Sequence, residues 1–568
     1  MIEADILIKQ KRIFAALAVS AALAGCSATA TPDVNGLPVI PGVTYFPSPT
    51  VPPTATPIPT PTPAIKYAQI DVSLPQETQV ALAKALSGTG LVATTAPQNG
   101  AVAQYDAVAG GRVVLTRTYV LAAPFPTIAD GISLGALQAF WQGNADALSP
   151  YTNDKKPPLL FMDADTRKAL GILLGAPADG AKIGIVAAGE IPSRTFATRP
   201  SAFAILPFEQ LEGRWKAMKI DDAYALDKAM DEAKYPLTLR VYEKTQAAPI
   251  VSPITNRDTS KMAIVAMTGV TALVRGTAIK MEEKGVLYPA AKIRDWFLTA
   301  DVRHISNEIS FYDKCPFPTR NDGTKFCSNP KYIDMLKDIG ANLIDLTGNH
   351  LWDYGWQNLL PTLDTYDQLG WKYFGGGRNL TDSLKPVTMT VNGNKIAFVG
   401  CNWFGMDWAT SKVAGSAPCG ADDPHQLDLI VPTIKQLKKD GYNVIATLQY
   451  LELYQYDTTA QQEKDFRALR DAGAVVVNGS QGHHVQAFDV NAAGFIHYGT
   501  GNLFFGDQTF MDGTQQTFVD RHVFYNGKYL GADLRSARIE DMSQPRPMTT
   551  AERADLLGTL FKYSYFDK

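Results

Sequence analysis

Apolar residues in this chain recur in short runs separated by amphipathic stretches. Runs at 111–115, 159–162, 183–187 and 202–206 alternate with helical spacing at 76–86 and 134–141. The pattern resumes further on, with runs at 262–267, 300–305, 342–346, 395–399, 443–448 and 474–477 and helical stretches at 332–339, 427–438 and 460–472. Short buried runs alternating with one-sided helices predict an α/β chain. Residues 549–563 carry a last amphipathic helix, expected to dock on the surface. The pattern is broken at 47–64, a run of Pro, Thr and Ser with almost nothing to bury, which predicts an extended spacer. About five hundred residues remain, too many for one usual core. The expected division is a linker at 27–65, a first α/β domain at 66–252, a second at 258–540 and a helical tail at 541–568.

Composition adds an address. Lys9, Lys11 and Arg12 precede an apolar segment, Phe14 to Ala24, that is too short to span a bilayer as a mature helix. It ends in Leu23-Ala24-Gly25-Cys26, which resembles a bacterial lipobox and implies cleavage before Cys26 and acylation of its thiol. The expected location is the extracytoplasmic side of the cell membrane, with the lipid as the anchor. Four cysteines remain, Cys315, Cys327, Cys401 and Cys419, an even number that reads as disulfides in an exported chain. Pairing Cys315 with Cys327 and Cys401 with Cys419 closes the shortest loops, although other pairings satisfy the count. Zinc is the rival use, and no Cys-x-x-Cys pair favours it. With 53 Lys and Arg against 56 Asp and Glu, and no basic run, nucleic acid is not an expected partner.

The candidate chemistry lies in the second half. Leu346-Thr347-Gly348-Asn349-His350-Leu351-Trp352-Asp353-Tyr354-Gly355 joins a strand-like run to a helix that begins near Trp356. Asn349 can ligate a metal through its carbonyl oxygen. His350 can act as an acid or donor to a phosphoryl oxygen, and Asp353 can orient its imidazole. The plain alternative is a strand-to-helix turn with Asn349 as a cap. Ala300 to Glu308 precedes this segment, and Asn478 to Gln486, with His483 and His484, follows it. Tyr498-Gly499-Thr500-Gly501-Asn502-Leu503-Phe504-Phe505 comes last.

In that order these segments resemble the CapA family, named for poly-gamma-glutamate capsule synthesis. The resemblance covers roughly 258–540 and implies a four-layer αββα metallophosphatase-like sandwich. It also implies a divalent metal, manganese, zinc or iron, held by Glu308, Asn349 and His483 or His484, with His350 and Asp353 as catalytic residues. Asn307 and Arg275 fall where the family's pattern would contact ligand. Departures weaken the implied centre. Val270 stands where the family opens with a carboxylate, Gln449 stands near the family's His-Trp-Gly strand end, and Gln481 or Gly482 takes the place of another histidine. A two-ion centre needs several carboxylate and imidazole ligands, so at most one ion, or none, is expected to remain.

The first domain has a weaker likeness. Tyr119 to Pro126 followed by Ile132 to Gly143, with Ala204 to Phe208 as a return strand, resembles the type 2 periplasmic solute-binding fold. A domain without a ligand reads equally well from the same residues. Two functions follow for the whole chain. One is a lipid-anchored, metal-dependent phosphoesterase-like protein of capsule synthesis or retention. The other is a non-catalytic surface binder of an anionic capsule polymer or glycan, using Arg275, His350 and the aromatics Trp352, Trp356, Trp403 and Trp408.

Overall fold

The computed structural model describes residues 65–246, 248–320 and 323–567. Cys26, the segment before it and nearly all of the Pro/Thr linker lie outside the described residues. No helix among the described residues is long and apolar enough to cross a membrane.

The N-terminal part is built around one long strand, Arg112–Pro124. Its first half pairs antiparallel with Thr238–Thr245, and its second half pairs antiparallel with Ala202–Pro207, the anticipated return strand. Burial along it changes from interrupted to continuous at Thr118 as it passes from one half-sheet to the next, as expected where both faces become covered. Leu159–Met162 and Ile183–Ile185 extend the sheet beyond Ala202–Pro207, and Tyr67–Ile70 and its neighbours extend the other end. The helix Leu134–Trp141 follows as expected, capped by Ser133. A carboxylate latches the two halves. Asp165, in the first turn of the helix Ala164–Leu174, accepts from Gln76 N at 2.9 Å and Glu77 N at 2.8 Å. It thereby supplies the helix Gln76–Leu86 with the N-terminal acceptor that Pro75 lacks.

The second part is a four-layer αββα sandwich. One sheet runs in the order Lys372–Phe374, Leu343–Asp345, Val302–Asn307, Met262–Thr268, Gln516–Tyr525, Lys528–Glu540 and Gln544–Pro547. The other runs Val387–Val391, Asn394–Asn402, Asn443–Gln449, Ala474–Ser480, Gly494–His497, Phe488–Asn491 and Tyr565–Phe566. Side chains alternate across each strand, and the alternation sorts the layers. Val265, Met267 and Leu343 meet Phe398, Ile445 and Val476 between the sheets. On the far face of the first sheet Ile264, Ile305 and Ile344 lie against Leu336 and Leu363 of the helices Ile333–Asp338 and Leu359–Gln368. On the far face of the second, Val399, Val444 and Ala446 lie against Ile434 and Phe466 of the helices Ile430–Lys439 and Ala460–Ala472.

The C-terminal stretch does more than dock a helix on the surface. Gln544–Pro547 adds an edge strand to the first sheet and Tyr565–Phe566 adds one to the second. Between them the helix Thr550–Tyr563, started by a capping box of Thr549 and Glu552, buries Leu556, Leu557 and Leu560 in the core between the sheets. The N-terminal part joins the sandwich through aromatic contacts, Phe208 on Tyr525 at 5.1 Å and Phe125 on Phe488 at 5.6 Å. Asp130 adds a polar tie, accepting from Lys216 and from Arg553, each at 2.6 Å.

Both disulfides pair as the short-loop scheme has it, Cys315 with Cys327 and Cys401 with Cys419. Each fastens an irregular segment beside the strand ends, where the candidate site lies.

Candidate functional site

Four parallel strands from the two sheets end side by side, and the residues at or just past those ends meet. Glu308 follows Val302–Asn307, Asn349 lies beyond Leu343–Asp345, Gln449 closes Asn443–Gln449, and Gln481 follows Ala474–Ser480. Gly348 permits the approach of the first two, because a Cβ there would sit 2.4 Å from the Glu308 Cα. The four side chains share one hub. Gln449 Nε2 donates to Glu308 Oε1 at 2.7 Å and Asn349 Oδ1 at 2.9 Å, and also reaches Gln481 Oε1. The whole Gln449 side chain is buried, and its Oε1 has no hydrogen-bond partner among the described residues. Gln481 is held at a left-handed φ of 75° and His483 at 47°, conformations that non-glycine residues adopt at a cost and that cluster at functional sites.

His350 stands beside this hub. Its Nδ1 shares a 2.7 Å hydrogen bond with Asp353 Oδ2, which also accepts from Phe326 N at 2.6 Å. Burial works against charge on His350, but the bond to Asp353 and the nearby Glu308, Asp353 and Asp407 carboxylates outweigh it and raise its pKa. The imidazole lies 4.5 Å from the Phe326 ring, and the Arg275 guanidinium lies 4.6 Å from that ring on the disulfide-closed loop. Arg275 also donates to Gly323 O. A cavity of about 90 Å³ opens here, lined by Arg275, Lys325, Phe326, Tyr332 and Tyr354. Lys314, Arg320 and Lys325 are exposed on or beside the same loop, with Asp313 next to Lys314 and Arg320 paired to Asp507 at 3.4 Å, and Lys325 lines the cavity together with Arg275.

Asp407 completes the group. It sits in the strap fastened by Cys401–Cys419, at a left-handed φ of 61°, and accepts from Trp352 N at 3.0 Å. Burial pushes it up to about 6, with Asp353 adding to the shift and the Trp352 N–H and His350 opposing it. Nothing in the sequence marked Asp407 or Phe326. Both lie in irregular segments without a motif, and only the disulfide spacing hinted that these segments were held in place.

Several expected residues lie elsewhere. Asn307 turns away from Glu308, as neighbours leaving a strand do, and its Nδ2 donates to Ile309 O at 2.6 Å and Tyr366 Oη at 3.2 Å in the helical layer. It therefore has no place as a ligand contact. The two adjacent histidines divide. His483 Nδ1 pairs with Asn502 Oδ1 at 2.8 Å, and its ring lies 5.2 Å from Phe505, which neighbours Phe326. His484 faces away: its Nδ1 bonds Val485 O at 2.7 Å, and Gly513 is so close that a Cβ there would lie 1.9 Å from His484 Nε2. The geometry removes His484 from the metal set. Trp403 is buried, stacked on Tyr450 at 4.2 Å, and offers no exposed aromatic surface. Val270 is buried between Ser306 and Asn502 and presents no ligand atom.

The donors decide which metal could be held here. No group of three or more His, Cys, Asp or Glu side chains capable of holding an ion occurs among the described residues. One carboxylate and three carboxamides do not fit a two-ion centre of nitrogen and carboxylate ligands. Converging oxygens do fit a single hard cation.

The four-layer sandwich with polar side chains gathered at the carboxyl ends of its strands defines a metallophosphatase-like α/β protein. Residues 264–507 match the sequence profile described as bacterial capsule synthesis protein PGA_cap, the family that the segments from Glu308 to Asn502 resemble. Capsule biosynthesis protein CapA of Bacillus anthracis is 25% identical over 313 residues, 54% of this chain and 74% of that protein. PGA biosynthesis protein CapA of Bacillus subtilis strain 168 is 29% identical over 203 residues, 35% of this chain and 52% of that protein, so the chain spans about half of this second relative. Among solved structures, an ABC-type phosphate transport receptor from Vibrio cholerae overlaps 32% of this chain and 88% of its own, with a TM-score of 0.27 and 9% identity.

Proposed function

We propose that this chain acts at the cell surface in poly-gamma-glutamate capsule synthesis or retention, and that its strand-end site binds the anionic polymer rather than hydrolysing a phosphate ester. The capsule-biosynthesis names of the Bacillus relatives support the capsule setting. One observation carries the choice of binding over hydrolysis: the Gln449 carboxamide joins Glu308, Asn349 and Gln481 where a hydrolase would need ligands for paired ions. With Val270 at the first ligand position, the side chains needed to hold two ions 3.5–4 Å apart and generate hydroxide are not present. Arg275 and Lys325, which line the cavity beside the Cys315–Cys327 loop, supply sites for polymer carboxylates. Anchoring through a lipid on Cys26 would place this site outside the membrane. The Pro/Thr linker would hold it off the surface at about 3.1 Å per residue if fully extended.

Purified poly-gamma-glutamate should bind the protein at low salt, and Arg275→Ala with Lys325→Ala should weaken binding roughly tenfold or more, as expected for losing charge-assisted contacts. The His350–Asp353 pair favours the second reading, a phosphoesterase, because it is suited to protonating a leaving oxygen. Turnover on a phosphomonoester and phosphodiester panel with added manganese, zinc or iron, abolished by His350→Ala, would establish that reading and defeat ours. For the anchor, Cys26→Ala should move the protein out of the membrane fraction or block its processing, since a stable hold takes more than one acyl chain. Wild-type protein recovered fully soluble from cells would rule the anchor out.

A further inference from the structure

A second cavity, of about 410 Å³, opens where the N-terminal part meets the sandwich, and it shares no residue with the one beside Arg275. Its size and its place at a junction of two folded parts are those of small-molecule sites, roughly 300–1,000 Å³. It exists because one strand runs short. Lys528–Glu540 is paired on one side with Gln516–Tyr525, but on the other Gln544–Pro547 pairs only with 537–540. The edge at 532–535 is left open to the cavity, with no strand beside it among the described residues. Alternation along that edge sorts the walls. Ala532 and Leu534 point to the core between the sheets, where Phe125 and Leu557 join them, and Met548 and Phe561 stay half-buried against the same cluster. Arg535 points the other way, its guanidinium 5.9 Å from the ring of Trp296 in the helix Arg294–Leu298. The cavity thus has an apolar half and a polar half.

In the polar half the unspent groups are donors. Arg535 gives its Nε to Asp533 Oδ2 at 2.9 Å, and neither of its Nη atoms has a hydrogen-bond partner among the described residues. Lys219 Nζ lies 5.8 Å from the Tyr224 ring, and neither it nor Tyr224 Oη has a hydrogen-bond or ion-pair partner among the described residues. Burial holds the Tyr224 hydroxyl far above its ordinary pKa, so it stays a donor. The carboxylates are better supplied. Asp130 holds both Lys216 and Arg553, Asp533 has Arg521 at 3.6 Å besides Arg535, and Asp227 accepts from Ala229 N. Only Asp222, which is exposed, is without such a partner. Lining cations and lining carboxylates are equal in number, four of each, and Arg521 behind them tips the balance positive. What the polar half lacks is an acceptor.

We infer that this cavity binds a small amphipathic anion, a carboxylate on an apolar chain, lying across the open strand edge. The carboxylate takes the free donors of Arg535, Lys219 and Tyr224, with the guanidinium offering a paired fork. The chain covers Leu534, Met548 and Phe561. A neutral molecule of the same shape would fill the apolar half and leave the donors unmet. A cation would meet donors with donors. The site stands or falls apart from the polymer-binding function, since the two use different residues.

Isothermal titration of the full chain with sodium octanoate should show one saturable site. Its dissociation constant should be about 10⁻⁴–10⁻³ M, as ligand efficiencies give for an acid of this size. Octylammonium, with the same chain and the opposite charge, should bind about tenfold more weakly or worse. Hexanoate, two methylenes shorter, should also lose about tenfold, because its chain buries less. Arg535→Gln removes the paired donors and should weaken octanoate binding about tenfold. Lys219→Gln should weaken it about threefold, and this half-buried side chain has no ion pair to lose, so the variant serves if Arg535→Gln does not fold. Three results would each overturn the site: no saturable heat up to about 10 mM octanoate, octylammonium or hexanoate binding as tightly as octanoate, or a constant unchanged by both substitutions.

Discussion

Asp489→Ala should cost about 3–5 kcal/mol of stability, the loss found when one partner of a buried ion pair is removed. The Asp489 carboxylate accepts from Arg470 Nη1 and from Arg467 Nε, both at 2.6 Å, and the Arg470 and Asp489 side chains are each only 6% exposed. Both arginines come from the helix Ala460–Ala472, so the pair fixes that helix to the strand Phe488–Asn491. Truncation leaves the Arg470 guanidinium in the interior without its counter-charge, which costs more than the pair itself contributes. The same strand carries the edge strand Tyr565–Phe566, whose Tyr565 ring lies 4.7 Å from Arg467, so the C-terminal edge should loosen as well. Urea unfolding reads the loss directly. Asp489→Asn should fall between wild type and Asp489→Ala, because it keeps an acceptor but not the charge. A loss below about 1 kcal/mol in Asp489→Ala, the level of a surface pair, would show that the pair is solvated in solution.

Phe326→Ala should lower stability by about 3 kcal/mol, the low end for removing a buried aromatic ring, and should also impair ligand binding. The ring is 8% exposed and lies between the Arg275 guanidinium and the His350 imidazole, 6.1 Å from Phe505. Its backbone N–H donates to the carboxylate that orients His350. Without the ring, Arg275 loses its cation–π seat, worth about 0.5–2 kcal/mol, and the basic loop is no longer registered against His350. Poly-gamma-glutamate affinity should therefore fall at least tenfold. Phe326→Leu should recover much of the stability and little of the affinity. Unchanged polymer binding in Phe326→Ala would place the polymer elsewhere.

Most of the sandwich was legible as apolar runs, because parallel strands buried on both faces are continuously hydrophobic. The site was legible where it lies in contiguous sequence. Asn349, His350 and Asp353 form one turn, and Glu308 lies one step beyond a strand. What the sequence leaves open is phase. Asn307 beside Glu308, and His483 beside His484, are neighbours of which one faces the site, and the choice depends on where the strand ends and on two left-handed residues that no periodicity reveals. Gln449 stood out as a replaced ligand, but its role as a hub required the positions of three other strands. Asp407 and Phe326 belong to disulfide-held segments whose shape follows from tertiary contacts. Trp403 was misjudged from its residue type, since an indole in a loop can equally be core. The edge strands at 544–547 and 565–566 are too short, and the first too rich in proline, to read as strands, although proline is tolerated at a sheet edge.

The placement of Gln516–Tyr525 beside Met262–Thr268, in the middle of the first sheet, has a consequence for biogenesis. As the chain is made, Met262–Thr268 waits for its antiparallel neighbour until some 250 residues have followed, and the core between the sheets waits longer still for Leu556, Leu557 and Leu560. Pairings between such distant segments form slowly, and until they form the apolar strands have no cover. A chain exported to the cell surface would therefore leave the membrane with its sandwich open and close it only afterwards. The segment that seals both sheets emerges only after all their other strands.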